Sequence, residues 1–375
     1  MRPMAGKSGA APARFGAGRM RALWLGLAAL LVGVLFLISP TFLKKSAARE
    51  QVMLPAAVLE AIREIFPQAL ISEAGMEDDE GVTVFVVEMR VGERYVEVIA
   101  SPDGVVVEVS IEIKAADVPE AAMAAIRKAA EGAQITAIDT VGTHAEVKDG
   151  KLVKLPVPMT TFWAEFEKGD LAGEVTVAPD GTIVEVSTAV EAKDVPGAAL
   201  AAIQKAAEGG RVAQISKDET RAEPKDGKFA RLDSPMVAYW AEFKKGELTG
   251  EVIVASDGTV LEISTAVEAR DVPEAALAAI RKAADGACVT EFGKDETHAE
   301  LEGGKVTRPA KAEIYYWAEF QKDEMAGEVS VAPDGTVVEV LTWKTVTETK
   351  DETSKKGRGI KLNRGRSPFP VPQST

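Results

Sequence analysis

Alternating apolar and polar residues form strand-like runs that recur along the chain at a fixed interval. The clearest runs are Tyr315 to Phe320 and Met325 to Val340. They follow a stretch from Asp271 in which apolar residues have the spacing of a helix. The interval is 77 residues at each of three tryptophans, Trp163, Trp240 and Trp317. A period of this length predicts a tandem array of similar supersecondary units.

Each unit is predicted to begin with a helix. In the last three copies an aspartate is the predicted N-cap and a glycine the predicted helix end, namely Asp117, Asp194 and Asp271, and Gly132, Gly209 and Gly286. The first copy diverges, and its helix is predicted over Leu54 to Ala69. One strand, a polar segment and three further strands follow. Four Asp-Gly pairs predict type I′ hairpin turns, beginning at Asp103, Asp180, Asp257 and Asp334.

The predicted fold class is α+β, with four tandem α-β-β-β-β units, each a helix on an antiparallel sheet. Their predicted bounds are 50–115, 116–192, 193–269 and 270–346. The connections are very short, so we expect four sheets side by side, with each unit leaning on its neighbours.

Strand alternation separates the residues under each helix from those on the open face. Around Trp163, the residues Phe162, Ala164 and Phe166 fall on the helix side. The open face is then predicted to carry the partner-binding residues Trp163, Trp240, Trp317, Glu165, Glu242, Glu319, Glu174, Glu251 and Glu328. Two simpler interpretations remain: solvated carboxylates copied by duplication, and tryptophans partly buried at unit junctions.

The two ends of the chain differ from its body. Residues 22–43 are apolar and long enough for a transmembrane signal-anchor, and residues 1–21 are basic, which predicts a cytoplasmic N-terminus. A cleaved signal peptide is the alternative, with small residues at Ser46 to Ala48. Either way, the units are expected in the periplasm or extracellular space. Residues 347–375 are predicted to be a disordered basic tail.

Charge is segregated between the body and these ends. Residues 50–349 hold 29 basic and 56 acidic side chains, while seven basic residues follow Thr349. An acidic body argues against nucleic acid and favours a cationic protein or basic peptide, and the chain's own tail is one candidate. The single cysteine, Cys288, excludes an internal disulfide and is expected to be a small buried residue.

Motifs for catalysis, cofactors and metals are missing from the sequence. It has no phosphate-binding loop, dinucleotide fingerprint or zinc-protease motif, so we expect a non-enzyme without cofactors. His144 and His298 occupy equivalent positions near a glutamate, but Arg221 stands at the third such position, which argues against metal binding. One aspartate per Asp-Gly turn supplies too few oxygens for calcium.

The residues VPEAALAAIRKAA, WAEF and VAPDGTVVEV together resemble PepSY-like domains. The resemblance covers residues 52 to about 346. The predicted arrangement of tandem helix-on-sheet units is similar in plan to the beta-lactamase inhibitory protein. It implies an extracytoplasmic, non-catalytic protein that modulates or inhibits secreted enzymes. No family binding residue transfers to this sequence.

Two functions are therefore expected. The first is a membrane-anchored binding or inhibitor-like protein that uses the open, acidic, Trp-bearing sheet faces. The second is a structural spacer or acidic cation-binding surface protein of the cell envelope. They differ in whether the three tryptophans are exposed together.

Overall fold

A computed structural model describes residues 54–79, 82–148, 151–168, 171–225, 227–246, 248–302, 305–322 and 325–345. The predicted membrane span at 22–43, the alternative cleavage site and the predicted tail at 347–375 lie outside these residues. Among the helices in the described ranges, none has the length and apolar character needed to cross a membrane.

Short helices alternate with groups of strands along the chain. The helices are α1 (Ala56–Ile65), α2 (Glu120–Ala129), α3 (Gly197–Ala206) and α4 (Glu274–Ala283). The strands before α3 are β1 (Leu70–Asp79), β2 (Val82–Val91), β3 (Arg94–Ala100), β4 (Val106–Glu112), β5 (Gln134–Lys148), β6 (Lys151–Lys168), β7 (Leu171–Val177) and β8 (Ile183–Ala189). Those after it are β9 (Arg211–Lys225), β10 (Lys228–Lys245), β11 (Leu248–Ala255), β12 (Val260–Ala266), β13 (Cys288–Thr297), β14 (Glu300–Glu302), β15 (Lys305–Thr307), β16 (Glu313–Lys322), β17 (Met325–Val331) and β18 (Val337–Thr345).

In the part of the chain that the structure describes, sixteen antiparallel strands form one sheet that closes on itself, and β14 and β15 form a separate ribbon. We call each helix together with the sheet strands that follow it a group. Successive groups are joined by the pairs β4–β5, β8–β9 and β12–β13, and β1 pairs with β18 to close the ring. The expectation of four sheets lying side by side is therefore wrong. Unpaired backbone groups at a strand edge are costly, and the last strand of each group pairs with the first strand of the next group. The division into four units stays a prediction from the sequence period.

Each helix packs on the sheet through its own apolar cluster. The α2 cluster contains Ile126, Phe162, Ala164 and Phe166, which confirms the predicted assignment of that strand's faces. Ile62, Ile203 and Ile280 take the place of Ile126 under the other helices. Burying an isoleucine side chain contributes roughly 1.5–3 kcal/mol, so these positions hold the helices in place.

The helices lie outside the ring. Sixteen strands spaced about 4.8 Å apart and tilted as in closed sheets form a ring of roughly 15–17 Å radius. Four helices packed inside a ring of that size would touch one another, because packed helix axes lie about 8–10 Å apart. Each of the four main clusters instead contains residues of one helix only. Arg127 and Lys128 of α2 are also exposed to solvent. The helix-free face is therefore the inner face of the closed sheet.

The helix ends differ in part from the prediction. The N-cap positions of the last three helices are Pro119, Pro196 and Pro273, without a capping side-chain hydrogen bond. The predicted caps Asp117, Asp194 and Asp271 instead end short 3₁₀ turns. The proline carbonyl accepts the first helical bond, and its fixed φ places the boundary there. Gly132, Gly209 and Gly286 have positive φ after the helices, as predicted.

The Asp-Gly turns are three-residue turns rather than type I′ turns. In the first, Ser101 N–H donates to Val105 O, and Gly104 alone has positive φ. The ladder shifts by one residue here, as in a type I turn followed by a bulge. Strict alternation along β8 predicts that Val184 lies on the helix side, but the same bulge places Ile183 with the apolar cluster under α2 instead.

Three hairpins extend beyond the closed sheet as arms, which we define as the described residues within 144–158, 221–235 and 298–312. The last arm carries β14 and β15. It packs on the inner face of the preceding group, where Ala299, Leu301 and Val306 cover Leu261. The β1–β2 hairpin has two strands of ten residues, whereas β5 has 15 and β6 has 18. The first group therefore has no comparable arm.

Candidate partner-binding face

All nine predicted binding residues lie on strands at inner-face positions. Each tryptophan alternates with buried helix-side residues, as Trp240 does between Tyr239 and Ala241. Two glutamates from neighbouring strands pair directly at four places on this face: Glu88 with Glu97, Glu165 with Glu174, Glu242 with Glu251, and Glu319 with Glu328. The three tryptophans are half-buried rather than open to solvent.

In the second group, the tryptophan binds one of the carboxylates. The Trp163 indole N–H donates to Glu174 Oε2 at 3.2 Å. Burial raises the pKa of Glu174, this hydrogen bond opposes the rise, and the charges of Asp218 and Glu165 add to it. Glu174 is therefore held in place but remains destabilised as an anion.

Next to this pair lies a second carboxylate cluster across β8 and β9. Burial, followed by the charges of Asp218 and Glu174, raises the pKa of Glu185 to about 7. The hydroxyls of Ser187 and Ser216 donate to Asp218 Oδ1 at 2.6 and 3.2 Å. These bonds limit the rise that burial imposes on the pKa of Asp218.

The third group repeats the first contact. The Trp240 indole N–H donates to Glu251 Oε2 at 3.1 Å. Burial raises the pKa of Glu251, the bond from Trp240 opposes it, and the charges of Glu242 and Asp295 raise it further.

The fourth group uses a different acceptor. Trp317 lies over Gly293, where an added Cβ would come within 2.0 Å of the indole, and donates to Asp295 Oδ1 at 2.9 Å. Ser216 stands at the position of Gly293 in the preceding group. Burial and the charges of Glu319, Glu339 and Asp295 raise the pKa of Glu328 to about 8. Unlike Glu174 and Glu251, Glu328 receives no bond from the tryptophan that would oppose this rise.

Sequence reasoning missed the aspartates on the first strand of each hairpin. Asp139 stands opposite Trp163 in the register, and burial plus the charges of Glu112 and Glu165 raise its pKa to about 6. Asp218 and Asp295 occupy a second such position 77 residues apart. Ser216 and Asp218 alternate in sequence with residues on the outer face, and this alternation indicates that both lie on the inner face. From the sequence, this segment is identified only as a strand followed by polar residues.

The charges acting on these inner carboxyls have one sign. For Asp139, Glu174, Glu185, Glu251 and Glu328, every charge that shifts the pKa belongs to another carboxylate. The cations close to acidic residues on β9 and β13 lie elsewhere: Lys217 and Arg221 contact Glu219, and Lys294 contacts Glu296. The inner face therefore favours protons or cationic groups.

Other candidate chemistry is sparse in the described ranges. No cluster of three or more potential metal ligands occurs among those residues. His298 Nε2 lies 3.7 Å from Glu296. Cys288 is exposed at the start of β13, so the expectation of a buried cysteine is wrong. Its position at the first residue of a strand, just past a helix-ending glycine, lies outside the apolar cluster.

Fold and face together define a closed antiparallel sheet with peripheral helices and an acidic, tryptophan-bearing inner surface. No protein-family model matches the chain, and no curated protein matches it. Among solved structures, it is similar to a putative periplasmic protein from Bacteroides eggerthii, at 14% identity over 36% of this chain and 89% of that one, with a TM-score of 0.29. A BLIP-like protein from Bacteroides fragilis is similar at 16% identity over 35% and 84%, with a TM-score of 0.26. A DUF2874 family protein from Bacteroides uniformis scores 0.28 at 14% identity over 36% and 88%. The proposals below rest on the geometry of this chain.

Proposed function

We propose that the chain is a non-enzymatic binding protein whose inner face takes a basic segment of a partner protein. The observation that carries this proposal is the set of carboxyls on the inner face whose pKa values are raised by burial and by the charges of other carboxylates, with no cation among the charges acting on them. A lysine or arginine brought among them would remove like-charge repulsion and receive several charge-assisted hydrogen bonds.

Closure of the sheet restricts the kind of partner. A flat face can bind a folded domain, whereas a ring of roughly 15–17 Å radius, narrowed further by inward side chains, admits only a narrow segment. A helix with its side chains is about 10–12 Å wide, and an extended chain is narrower. The half-buried indoles of Trp163, Trp240 and Trp317 would pack against the stems of basic side chains.

The location and plan of the protein belong to the same proposal. The apolar residues 22–43 and the basic residues before them support a single-pass anchor with four PepSY-like units outside the cytoplasm. Protease added to intact spheroplasts should then degrade residues 54–345, and the chain should remain with membranes after carbonate washing. Protection of these residues in intact spheroplasts would contradict the proposed side of the membrane.

Binding can be tested with the full-length chain in a mild detergent. It would be titrated with an arginine-rich peptide, and with the 347–375 peptide as a second ligand, while tryptophan emission is followed. Glu174→Gln, Glu251→Gln and Glu328→Gln combined should weaken binding of the arginine-rich peptide at least tenfold. Removing charge-assisted bonds at a desolvated site costs well over 1 kcal/mol.

The matched control is a triple change of exposed helix glutamates, Glu60→Gln, Glu120→Gln and Glu274→Gln. It alters the net charge equally but lies on the outer side. Equal weakening by both triple variants would show that only overall charge matters, and the chain would then be an acidic cation-binding surface or spacer. A Trp240→Phe change should speed dissociation if the indoles contact the ligand.

A further inference from the structure

The sheet face beside the last Asp-Gly turn is uncovered, unlike its counterparts. Val107 and Leu261 occupy one repeated position and are 8% and 4% exposed. At the same position in the last group, Val338 is 51% exposed, and its neighbour Val337 is 46% exposed. The difference follows from the arms, since Leu261 lies under the arm of the next group.

A basic residue accompanies each covered turn. Lys154, Arg231 and Arg308 of the three arms act on the turn aspartates Asp103, Asp180 and Asp257. The guanidinium of Arg308 also donates to Thr259 Oγ1 at 2.9 Å. For Asp334, within the described ranges, the groups that lower its pKa are the Thr336 backbone and side chain and its own backbone.

The backbone at this seam is also less completely paired. Both His298 and Ala299 donate from their backbone N–H to Leu261 O. The β12–β13 ladder runs from Glu262 to Ala266. At the seam, the β1–β18 ladder stops at Met76 and Thr342 in the described chain, although β1 continues to Asp79. We call Asp334, Val337, Val338 and the β18 backbone as far as Leu341 the seam notch.

The three covered positions define the chemistry of an occupant. It must supply an extended backbone to the free part of β18, apolar side chains over Val338, and a cation near Asp334. Residues 347–375 of this chain offer these groups, with seven basic residues and the run Phe369-Pro370-Val371-Pro372. The first arm carries a similar run, Leu155-Pro156-Val157-Pro158, directly after Lys154.

Chain length permits the contact. From Thr345 back to Val338 the distance along an extended strand is about 23 Å. The twenty residues between Thr345 and Arg366 can span up to about 70 Å. The tail can therefore turn back to the notch without stretching.

We propose that residues 359–372 bind the seam notch of their own chain as an added strand. An arginine then faces Asp334, and Phe369 and Val371, which point to one face of the added strand, cover Val338 on the inner side of β18. The tail thereby supplies the arm that the first hairpin is too short to form. The seat is defined by Asp334 and Val338 rather than by Glu174, Glu251 or Glu328, so its tests can fail without affecting the proposed function.

Hydrogen exchange on the full-length chain tests the proposal. Amides of residues 337–341 should exchange at least tenfold more slowly in the intact chain than in a chain ending at Thr349. Residues 260–264 at the equivalent position should exchange equally in both, which controls for folding. Equal exchange at 337–341 with and without the tail would overturn the proposal. Protection that increases with protein concentration would assign the seat to a second copy, and would also overturn it.

A disulfide trap gives a second, independent readout. In a Cys288→Ser background, Val338→Cys combined with Val371→Cys should form a crosslink within one chain under mild oxidation. The control pair is Val153→Cys with Val371→Cys, since Val153 is also exposed but belongs to the first arm. Crosslinking of both pairs at the same rate would show that the tail samples the surface without a preferred seat.

Discussion

At the scale of single residues, the Asp-Gly turns depend on close approach between glycine and a helix. A Cβ at Gly181 would lie 2.7 Å from Ala121 O, and its φ is +82°. Gly104, Gly258 and Gly335 meet Ala57, Ala198 and Ala275 in the same way. The turn residues thus seat the N-terminal end of each helix against the sheet.

Gly181→Ala should therefore lower the free energy of unfolding more than Gly132→Ala. Both residues have a φ of +82°, but a Cβ at Gly132 meets nothing within 4 Å. The strained φ alone costs about 1–2 kcal/mol, and displacement of the helix should add roughly 1–3 kcal/mol at Gly181. Urea denaturation of the two full-length variants measures the difference, and equal losses would contradict the role of the close approach.

The inner carboxyls show how a residue's chemistry depends on its neighbours. Glu174, Glu251 and Glu328 occupy one repeated position, yet only the first two accept a bond from a tryptophan. The glycine opposite Trp317 redirects the third indole to Asp295. Burial and the neighbouring carboxylates raise the pKa of Glu328, and no tryptophan bond opposes that rise.

At the scale of elements, the arms convert an exposed sheet position into a buried one. Leu261 and Val338 are 77 residues apart in sequence and occupy the same strand position. The arm covers the first, whereas the second remains on the surface in the described chain.

Leu261→Ala should cost about 2–4 kcal/mol, the usual loss for a large side chain in a core. Val338→Ala in a chain ending at Thr349 should cost less than about 0.5 kcal/mol, as expected for a surface position. Denaturant midpoints of both variants, each compared with its own parent chain, give the two values. Similar losses would mean that the arms do not bury this position in solution.

At the scale of the whole molecule, a closed sheet concentrates negative charge inside. The pKa values of about 7 for Glu185 and about 8 for Glu328 lie above the ordinary value of 4.5. Between about pH 4.5 and 8 the folded chain therefore binds more protons than the unfolded chain, and its stability falls as pH rises. The lowered pKa values of Asp103, Asp180, Asp257 and Asp334 affect the stability only at pH values below this range.

Thermal unfolding should accordingly occur at a lower temperature at pH 8.5 than at pH 5.5. Glu328→Gln should remove part of this difference, with a gain of roughly 1–3 kcal/mol at pH 8.5 and little change at pH 5.5. Glu60→Gln on the exposed side of α1 is the matched control. A basic ligand should show the opposite slope and bind more tightly as pH rises, because it favours the ionised carboxyls. A flat pH profile of stability would contradict the assigned burial of these groups.

The sequence by itself determined the types of element, their order and the faces of the strands. Alternation with a period of two is a local property, so Phe162 and Trp163 had to point to opposite sides wherever their strand paired. The same logic placed all nine predicted binding residues on one face. It erred where a local choice depends on backbone detail, as in the N-caps and in the bulge that exchanges Ile183 and Val184.

Only the tertiary structure decided that this face is an inner one. Closure requires β1 to meet β18 from the opposite end of the described chain, and it depends on the rotation that accumulates between successive groups. No local sequence pattern encodes this accumulated rotation. The same long-range geometry brings Asp218 and Asp295 among the glutamates and raises their pKa through burial. The sequence supplied the charges, and the closed fold supplied the confinement that makes them favour a cation.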